Sequence, residues 1–437
     1  MKSRAWWMCI SLFGGVFGCE VPTGSSTVDG GGAANKASLQ VILPFVAGMC
    51  TLAGGCDLTQ IDPGAHDGFV PAPGWSVPEC AQIEGAPGLS ITLDLGKTFV
   101  ETAEGISHPE MPSQWLTIFP FTSAIATLRD RPDTLFAVQY GSIAISEDAG
   151  CSWRYHEETL QGENFWLDHS APISWVNAGS GVVYIHDVQN NIIRVTEDSI
   201  ERHYFRLSKG DGGSKWLSFR GMTTVTGSTD ELVALSAYGD FVESFDGGET
   251  WTLRGGSLEP GESNGLGNNA IAHFNPSNPD EVIVPIGSSV RVTADGGDTW
   301  DVGVFHTEFD GPFLLSGLAP SPTNFDVVWA LVLQMEPGLP IGQQTFLYRS
   351  EDGGLNFDIV MKGTEVTMDL TSLVKPVPQR DHECLLIGGT DVVRVNGIAR
   401  KASIHPLEGE VVSATFSPAD NEVLYLGFNA LSYWGLQ

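Results

Sequence analysis

The chain has 437 residues, with 53 acidic side chains against 22 Lys plus Arg and a formal net charge of −31. So acidic a balance speaks against nucleic acid and anionic lipid as partners held by charge. It agrees with an exported, soluble domain.

The N-terminus begins Met1-Lys-Ser-Arg4, runs apolar from Ala5 to Phe17 and reaches Val16-Phe17-Gly18-Cys19. A basic start, a short apolar core and a small residue before the cut mark a secretory signal. The core is too short to persist as a membrane-spanning anchor. Its ending looks like a bacterial lipobox, which implies cleavage before Cys19 and a lipid on that thiol. Ordinary signal cleavage, giving a secreted protein, is the alternative. Residues 1–18 are therefore expected to be a signal peptide. Residues 19–36, with the Gly/Ser-rich run Thr23–Ala34, read as a lipidated flexible tether. The expected address is the cell envelope, at the outer membrane or facing the periplasm. Residues 37–88 form a Cys/Gly/Pro-rich segment expected to pack on the domain that follows. Within it Cys50 and Cys56 are the disulfide candidates for an oxidising compartment. The cysteine spacing, without histidine partners, does not suggest zinc, and no metal or other cofactor is expected.

From residue 89 onward one eight-residue turn recurs five times: Thr92–Phe99, Ser146–Trp153, Ser244–Trp251, Thr293–Trp300 and Ser350–Phe357. The pattern is Ser/Thr-x-Asp-x-Gly-x-Ser/Thr-aromatic, with Asn356 the one departure. Its aspartates are Asp94, Asp148, Asp246, Asp295 and Asp352, at intervals of 54, 98, 49 and 57 residues. Degraded copies are therefore expected near Thr196-Glu-Asp198 and Val395-Asn396-Gly397. Such a period denotes an array of supersecondary units.

Between the turns lie short β-type runs such as Ser123–Leu128, Thr134–Val138 and Ser142–Ser146, cut by Arg131-Pro-Asp133. Three strands precede each turn and one follows, which describes a propeller blade. The turn's glycine supplies φ > 0, its aspartate can accept from the turn's own amides, and its aromatic ring can bury between blades. The tail, Val411–Phe416 and Val423–Leu426, repeats the unit without a turn. The fold expected is an all-β propeller of seven four-stranded blades closed by C-terminal strands. Eight blades stays open, because Leu89–Thr92 and Leu431–Tyr433 compete for the third strand of the first blade.

These motifs resemble the Asp-box (BNR-repeat) propellers, which include sialidases, sortilin-type receptors, xyloglucanase modules and photosystem assembly factors. The resemblance covers residues 89–437. It implies that the five aspartates are structural and lie on the face away from the ligand, and it is nearly silent on activity. A calcium loop would need oxygen ligands at alternate positions, which the turns lack. Sialidases grip a sugar carboxylate with three arginines, the first in an Arg-Ile-Pro-type motif. Here no arginine occurs between Arg4 and Arg129, so that activity is not expected. Xyloglucanase-like hydrolysis uses a cleft between two propellers, and the chain has length for one. The photosystem assembly factors share the plan of a lipid-anchored single propeller, but their arginine patch is not matched.

Loops expected on the face opposite the turns carry Trp115, Trp166 and Trp216, able to stack on sugar rings or a partner's apolar side chains, with His169 and His306 nearby. Burial between blades is the competing expectation for the tryptophans, and loop packing for the histidines. A glycoside hydrolase of sialidase-like fold would draw its acid pair from Asp168, Glu308 and Asp310, which otherwise are solvated loop acids. The reading favoured is a monomeric, non-catalytic cell-envelope scaffold presenting a propeller face to a protein or carbohydrate ligand, with hydrolysis the alternative.

Overall fold

Blade 4 shows how a repeat becomes structure. Its runs Phe219–Thr224, Leu232–Ser236, Asp240–Ser244 and Thr252–Ser257 pair antiparallel in that order, from the centre of the ring outward. Tight polar turns reverse the chain after each run. The computed structural model describes residues 72–78, 89–92, 100–101, 122–139, 142–155, 173–187, 191–208, 214–216, 219–225, 227–258, 271–307, 313–334, 344–366, 368, 373–407 and 410–428. Among them there is no helix, and the strands form one two-stranded ribbon and seven sheets of four or five strands. Those within 122–155 make blade 2, 173–204 blade 3, 219–257 blade 4, 273–302 blade 5, 313–362 blade 6 and 373–406 blade 7, with blade 1 joining the two ends of the array.

Among the described residues, period-two alternation buries both faces of the blades' inner strands, each face against a different neighbour. In blade 3, Val183 and Ile185 pack toward blade 2, whereas Val182 and Tyr184 pack toward blade 4. Seven apolar clusters result, one at each junction between consecutive blades. The core of this protein is thus a ring of interfaces.

Blade 1 closes that ring with both parts of the chain. The C-terminal strands Val411–Phe416 and Leu424–Phe428 supply its inner half, and Leu89–Thr92 with Val100–Glu101 its outer half. Leu89 to Thr92 pair with Gly427 to Leu424 in continuous antiparallel register. Leu89–Thr92 therefore takes the contested third-strand place, and seven blades suffice. Leu431–Tyr433 lies outside the described residues.

Four of the five repeated turns are described, and they share one hydrogen-bond pattern. In blade 4 the Ser244 hydroxyl donates to Asp246 Oδ1 at 2.8 Å and accepts the Gly248 amide at 2.9 Å. Thr250 donates its amide to Oδ1 at 2.9 Å and its hydroxyl to Oδ2 at 2.5 Å. Asn356 keeps the pattern in blade 6, its side-chain amide donating to Asp352 Oδ2 at 2.7 Å in place of a hydroxyl. The fourth and fifth residues of each turn have positive φ, 71° and 93° at Gly247 and Gly248. Ala149 adopts 55° at the fourth place in blade 2 without glycine's freedom. The closing aromatic enters the junction with the preceding blade: Trp251 between blades 3 and 4, Trp300 between 4 and 5, Phe357 between 5 and 6.

A second regularity ties these turns to the rest of the blade. The amide of the fourth turn residue donates to the main-chain carbonyl of an aspartate that closes the turn between the first two strands. The pairs are Ala149 with Asp133, Gly247 with Asp230, Gly296 with Asp280 and Gly353 with Asp326, at 2.8 to 3.0 Å. Both kinds of turn therefore occupy the same end of the ring. At the two eroded positions simpler hairpins stand: Thr196 Oγ1 accepts the Ser199 amide at 2.9 Å, and Asn396 Oδ1 accepts the Ala399 amide at 2.8 Å.

Residues 72–78 cross the junction of blades 1 and 2. Ala72 donates its amide to Ala419 O at 3.2 Å, and the Trp75 indole donates to Asp133 Oδ1 at 2.9 Å. Trp75 and Val77 pack on Ile125, Leu135, Val423 and Tyr425.

The turn bonds hold the aspartates below the usual carboxylate range. For Asp295 the Thr299 hydroxyl is the largest cause, followed by the Thr299 amide and the Thr293 hydroxyl, and the value falls to about 2. Asp148, Asp246 and Asp352 are also lowered, although partial burial opposes the shift in each. A carboxyl depressed in the folded state contributes stability above its unfolded value, and loses that contribution as pH falls through the folded one. Thermal melts should therefore decline steeply between about pH 4 and pH 2. Asp295→Asn should start lower at neutral pH and decline less over that window; equal slopes would contradict the assignment.

Candidate functional site

The innermost strand of each blade begins at the end of the ring opposite the turns. In four blades the strand is bulged at its entry, between Val411 and Ser413, Thr122 and Ala124, Phe219 and Gly221, and Leu315 and Gly317. The extra residues are Val412, Ser123, Arg220 and Ser316. Ser123 donates its hydroxyl to Val138 O at 3.1 Å, and Ser316 repeats this to Leu331 O at 3.0 Å. A bulge re-aims one side chain and bends its strand. Here the device recurs around the ring at a single level.

Arg220 occupies the bulge in blade 4 with 6% exposure, and burial pulls its guanidinium down to about 10. Its carbonyl accepts the Ala272 amide of blade 5 at 2.5 Å. A Cβ on the next residue, Gly221, would lie 2.2 Å from Ala272 O, so only glycine permits that approach. His273 opens the innermost strand of blade 5, and Lys375 stands on that of blade 7, both buried. In blade 3 the buried pair Ser174 and His186 face each other across the first two strands, with the imidazole 5.7 Å from the Phe219 ring. Gln334 donates to Thr307 Oγ1 and to Tyr348 OH, both at 2.7 Å. The innermost layer of this acidic protein thus carries cations, imidazoles and neutral polar groups.

Several arginines of the third and fourth strands are committed to groups of their own or a neighbouring blade. Arg254 reaches Asp280 at 2.7 Å, and Arg194 lies 3.9 Å from Asp230. Arg394 donates to Glu383 at 2.7 Å. Arg349 donates from Nε to Asp381 O at 3.0 Å, pairs with Glu351 and stands 5.6 Å over the Trp329 ring.

Of the sequence-derived candidates, His306 lies on Val304–His306, an added strand running parallel to the outermost strand of blade 6. It is exposed, with Nε2 3.2 Å from Asn356 Oδ1, beside that blade's turn rather than in an axial loop. Phe305 explains the switch of blade: its ring stacks on Phe357 at 4.4 Å and meets Tyr348 edge-on at 5.2 Å. Trp216 ends the ribbon formed by Arg206–Ser208 and Ser214–Trp216, paired with Arg206. Trp115, Trp166, Asp168, His169, Glu308, Asp310, Asp94, Cys19, Cys50 and Cys56 lie outside the described residues. Among the described residues no group of three or more His, Cys, Asp or Glu is placed to hold a metal ion. The bulge residues went unnoticed in the sequence; their one signal was an arginine in a strand otherwise free of charge.

No family model and no curated protein matches the chain. Solved structures do match it. The GH74 xyloglucanase from Xanthomonas campestris superposes with a TM-score of 0.51 at 11% identity, over 74% of this chain and 53% of that one. This chain therefore spans about half the length of that enzyme. YCF48 from Cyanidioschyzon merolae gives 0.49 at 13% identity, over 70% of this chain and 97% of that one. PorZ, a surface component of the type-IX secretion system of Porphyromonas gingivalis, gives 0.44 at 9%, over 71% and 36%. The fold is a β-propeller. At these identities the likeness extends no further than fold.

Arg349→Ala should lower stability by about 1–3 kcal/mol, since it removes a hydrogen bond and a cation over a buried indole. Thermal denaturation checks this. An unchanged melting temperature would mean that the guanidinium is free for a ligand.

Proposed function

We propose that the chain is a non-catalytic binding or assembly scaffold of the cell envelope, holding a protein or glycan over the end of the ring opposite its turns. One observation carries this reading: the innermost strands are bulged in four blades at one level, and blade 4 places an arginine where blades 2 and 6 place serine. Bulges gather beside functional sites, and a rigid ring is a suitable mount for a recognition surface. Cross-linked pull-down from the protein's own envelope tests it, comparing wild type with Arg220→Ser. A stoichiometric partner, depleted in the variant, is the expected result. Glycoside turnover by the purified protein, or a partner unaffected by the substitution, would overturn the reading.

We further infer that the repeated turn is an Asp-box and that the chain is exported and lipid-anchored at Cys19. The shared hydrogen-bond pattern supports the first inference, and a cysteine supports the second. The Cys151 sulfur lies 3.6 Å from Pro78 O, and Cys80 follows Pro78 by two residues. Two residues of extended chain reach at most about 7 Å, so the sequence makes Cys80 a candidate disulfide partner for Cys151. Among the described residues the free cysteine is Cys384, not Cys151. An oxidised Cys80–Cys151 pair would fasten residues 72–78 across the junction of blades 1 and 2. Non-reducing peptide mapping of the exported protein should find that linkage, with a thioether lipid on Cys19. A reduced Cys151, or a linkage confined to Cys50–Cys56, would remove the support.

A further inference from the structure

At the turn end of the ring, the turns joining the first two strands of blades 5, 6 and 7 enclose a cleft of about 710 Å³. Its volume is in the range of small-ligand sites. The lining is polar and almost uncharged. Hydroxyls come from Ser277 and Thr323, primary amides from Asn324 and Gln379, apolar surface from Phe325 and the neighbouring prolines. Among the described residues Asp381 is the one ionisable group lining it, and no Lys, Arg or His does so. A phosphate, sulfate or carboxylate ligand would meet no cation there and would face a carboxylate.

The wall formed by Val377–Glu383 is fixed before any ligand arrives. Asp381 Oδ1 accepts the Ser321 hydroxyl at 2.9 Å, and Oδ2 accepts the Asn324 amide at 3.0 Å. Each oxygen keeps a further lone pair for an incoming hydroxyl. Arg349 holds the Asp381 carbonyl from blade 6, as described above. From blade 1, Asn421 donates to Pro378 O at 2.9 Å, and Glu422 pairs with Arg380 at 2.5 Å. Gln379 is exposed and has φ +59°, a left-handed conformation that is strained for a residue with a side chain. Its amide donates to Thr323 Oγ1 at 2.8 Å, which pins that conformation. Strain persists where the surroundings over-determine it, and functional sites are where it gathers. A wall fixed in advance lowers the ordering cost of binding.

We propose that this cleft binds a short neutral oligosaccharide. Planar amides and a fixed carboxylate suit vicinal hydroxyls, and the Phe325 ring with the proline rings suits the apolar C–H surface of a pyranose. The site is at the opposite end from the bulged strands, so it stands independently of the scaffold reading above.

The test uses the whole chain with neutral gluco-, xylo- and manno-oligosaccharides of three to five units, followed by saturation-transfer NMR and calorimetry. At least one series should bind. Gln379→Ala, which removes an exposed amide, should weaken binding about tenfold with an unchanged melting temperature. Asp381→Asn should weaken it comparably; because that residue also holds the turn, the Gln379 variant decides if the Asn variant is unstable. No transfer to any neutral saccharide at millimolar concentration would overturn the proposal. So would binding indifferent to Gln379→Ala, or tighter binding of a sugar acid than of its neutral counterpart. Retention of an envelope partner by Gln379→Ala, with saccharide binding lost, would separate the two ends of the ring.

Discussion

The pairing of Leu89–Thr92 with Leu424–Gly427 is the joint on which the rest of this structure depends. Each blade buries both faces against neighbours, so a blade at an open end would leave one whole apolar face in water. A linear array would have two such ends; a closed ring has none. The cost of closure is entropic, because the ends come together across more than three hundred residues, but loop-closure entropy grows only logarithmically with length. The burial recovered on the two end faces grows with area and outweighs it. The joint also explains why residues 72–78 lie where they do. Trp75 and Val77 add apolar contact at the junction of blades 1 and 2, beside the blade assembled from both parts of the chain.

A ring of interfaces imposes a division of labour between its ends. At the turn end, chain reversals are over-determined: a hydroxyl, a carboxylate and two glycine-compatible backbone positions hold each turn, and its fourth amide fastens it to the adjoining turn. The turn aspartates are ionised acceptors whose oxygens are taken by hydroxyl and amide donors of the turn itself. At the other end the innermost strands enter through bulges, which a sheet tolerates at its margins because the ladder is interrupted only locally. A change of side chain there leaves the rest of the ladder in place. Blade 4 can exchange a serine for an arginine at the bulge without disturbing its ladder.

How much of this was legible in the sequence follows from which interactions are local. The turns were, since their hydrogen bonds span four residues and demand particular side chains in fixed order. The strands of blades 2 and 5 were legible from alternation and from Pro and Asn punctuation, although Asn278–Ile286 begins four residues before its apolar run. Closure was legible as two competing strands, and only pairing in space could choose between them. The path of Val304–His306 was not, because it is set by Phe305 meeting Phe357, a contact across fifty residues. His306 was expected in an axial loop for that reason. The bulges were hidden as well, since one extra residue in a six-residue strand leaves no periodic signature.

The distribution of charge completes the argument. Few basic residues are available, and several of those described pair between blades: Arg131 with Glu197, Arg254 with Asp280, Arg380 with Glu422. These pairs are largely exposed and individually weak, about 0–1 kcal/mol each. Their value lies in registering one blade against the next, where apolar contact alone is indifferent to small slides along the interface. Arg220 and Lys375 are different in kind, since both are buried on innermost strands, where removing a charge from water is costly. Placing two of its few cations on innermost strands commits the fold to satisfying them there.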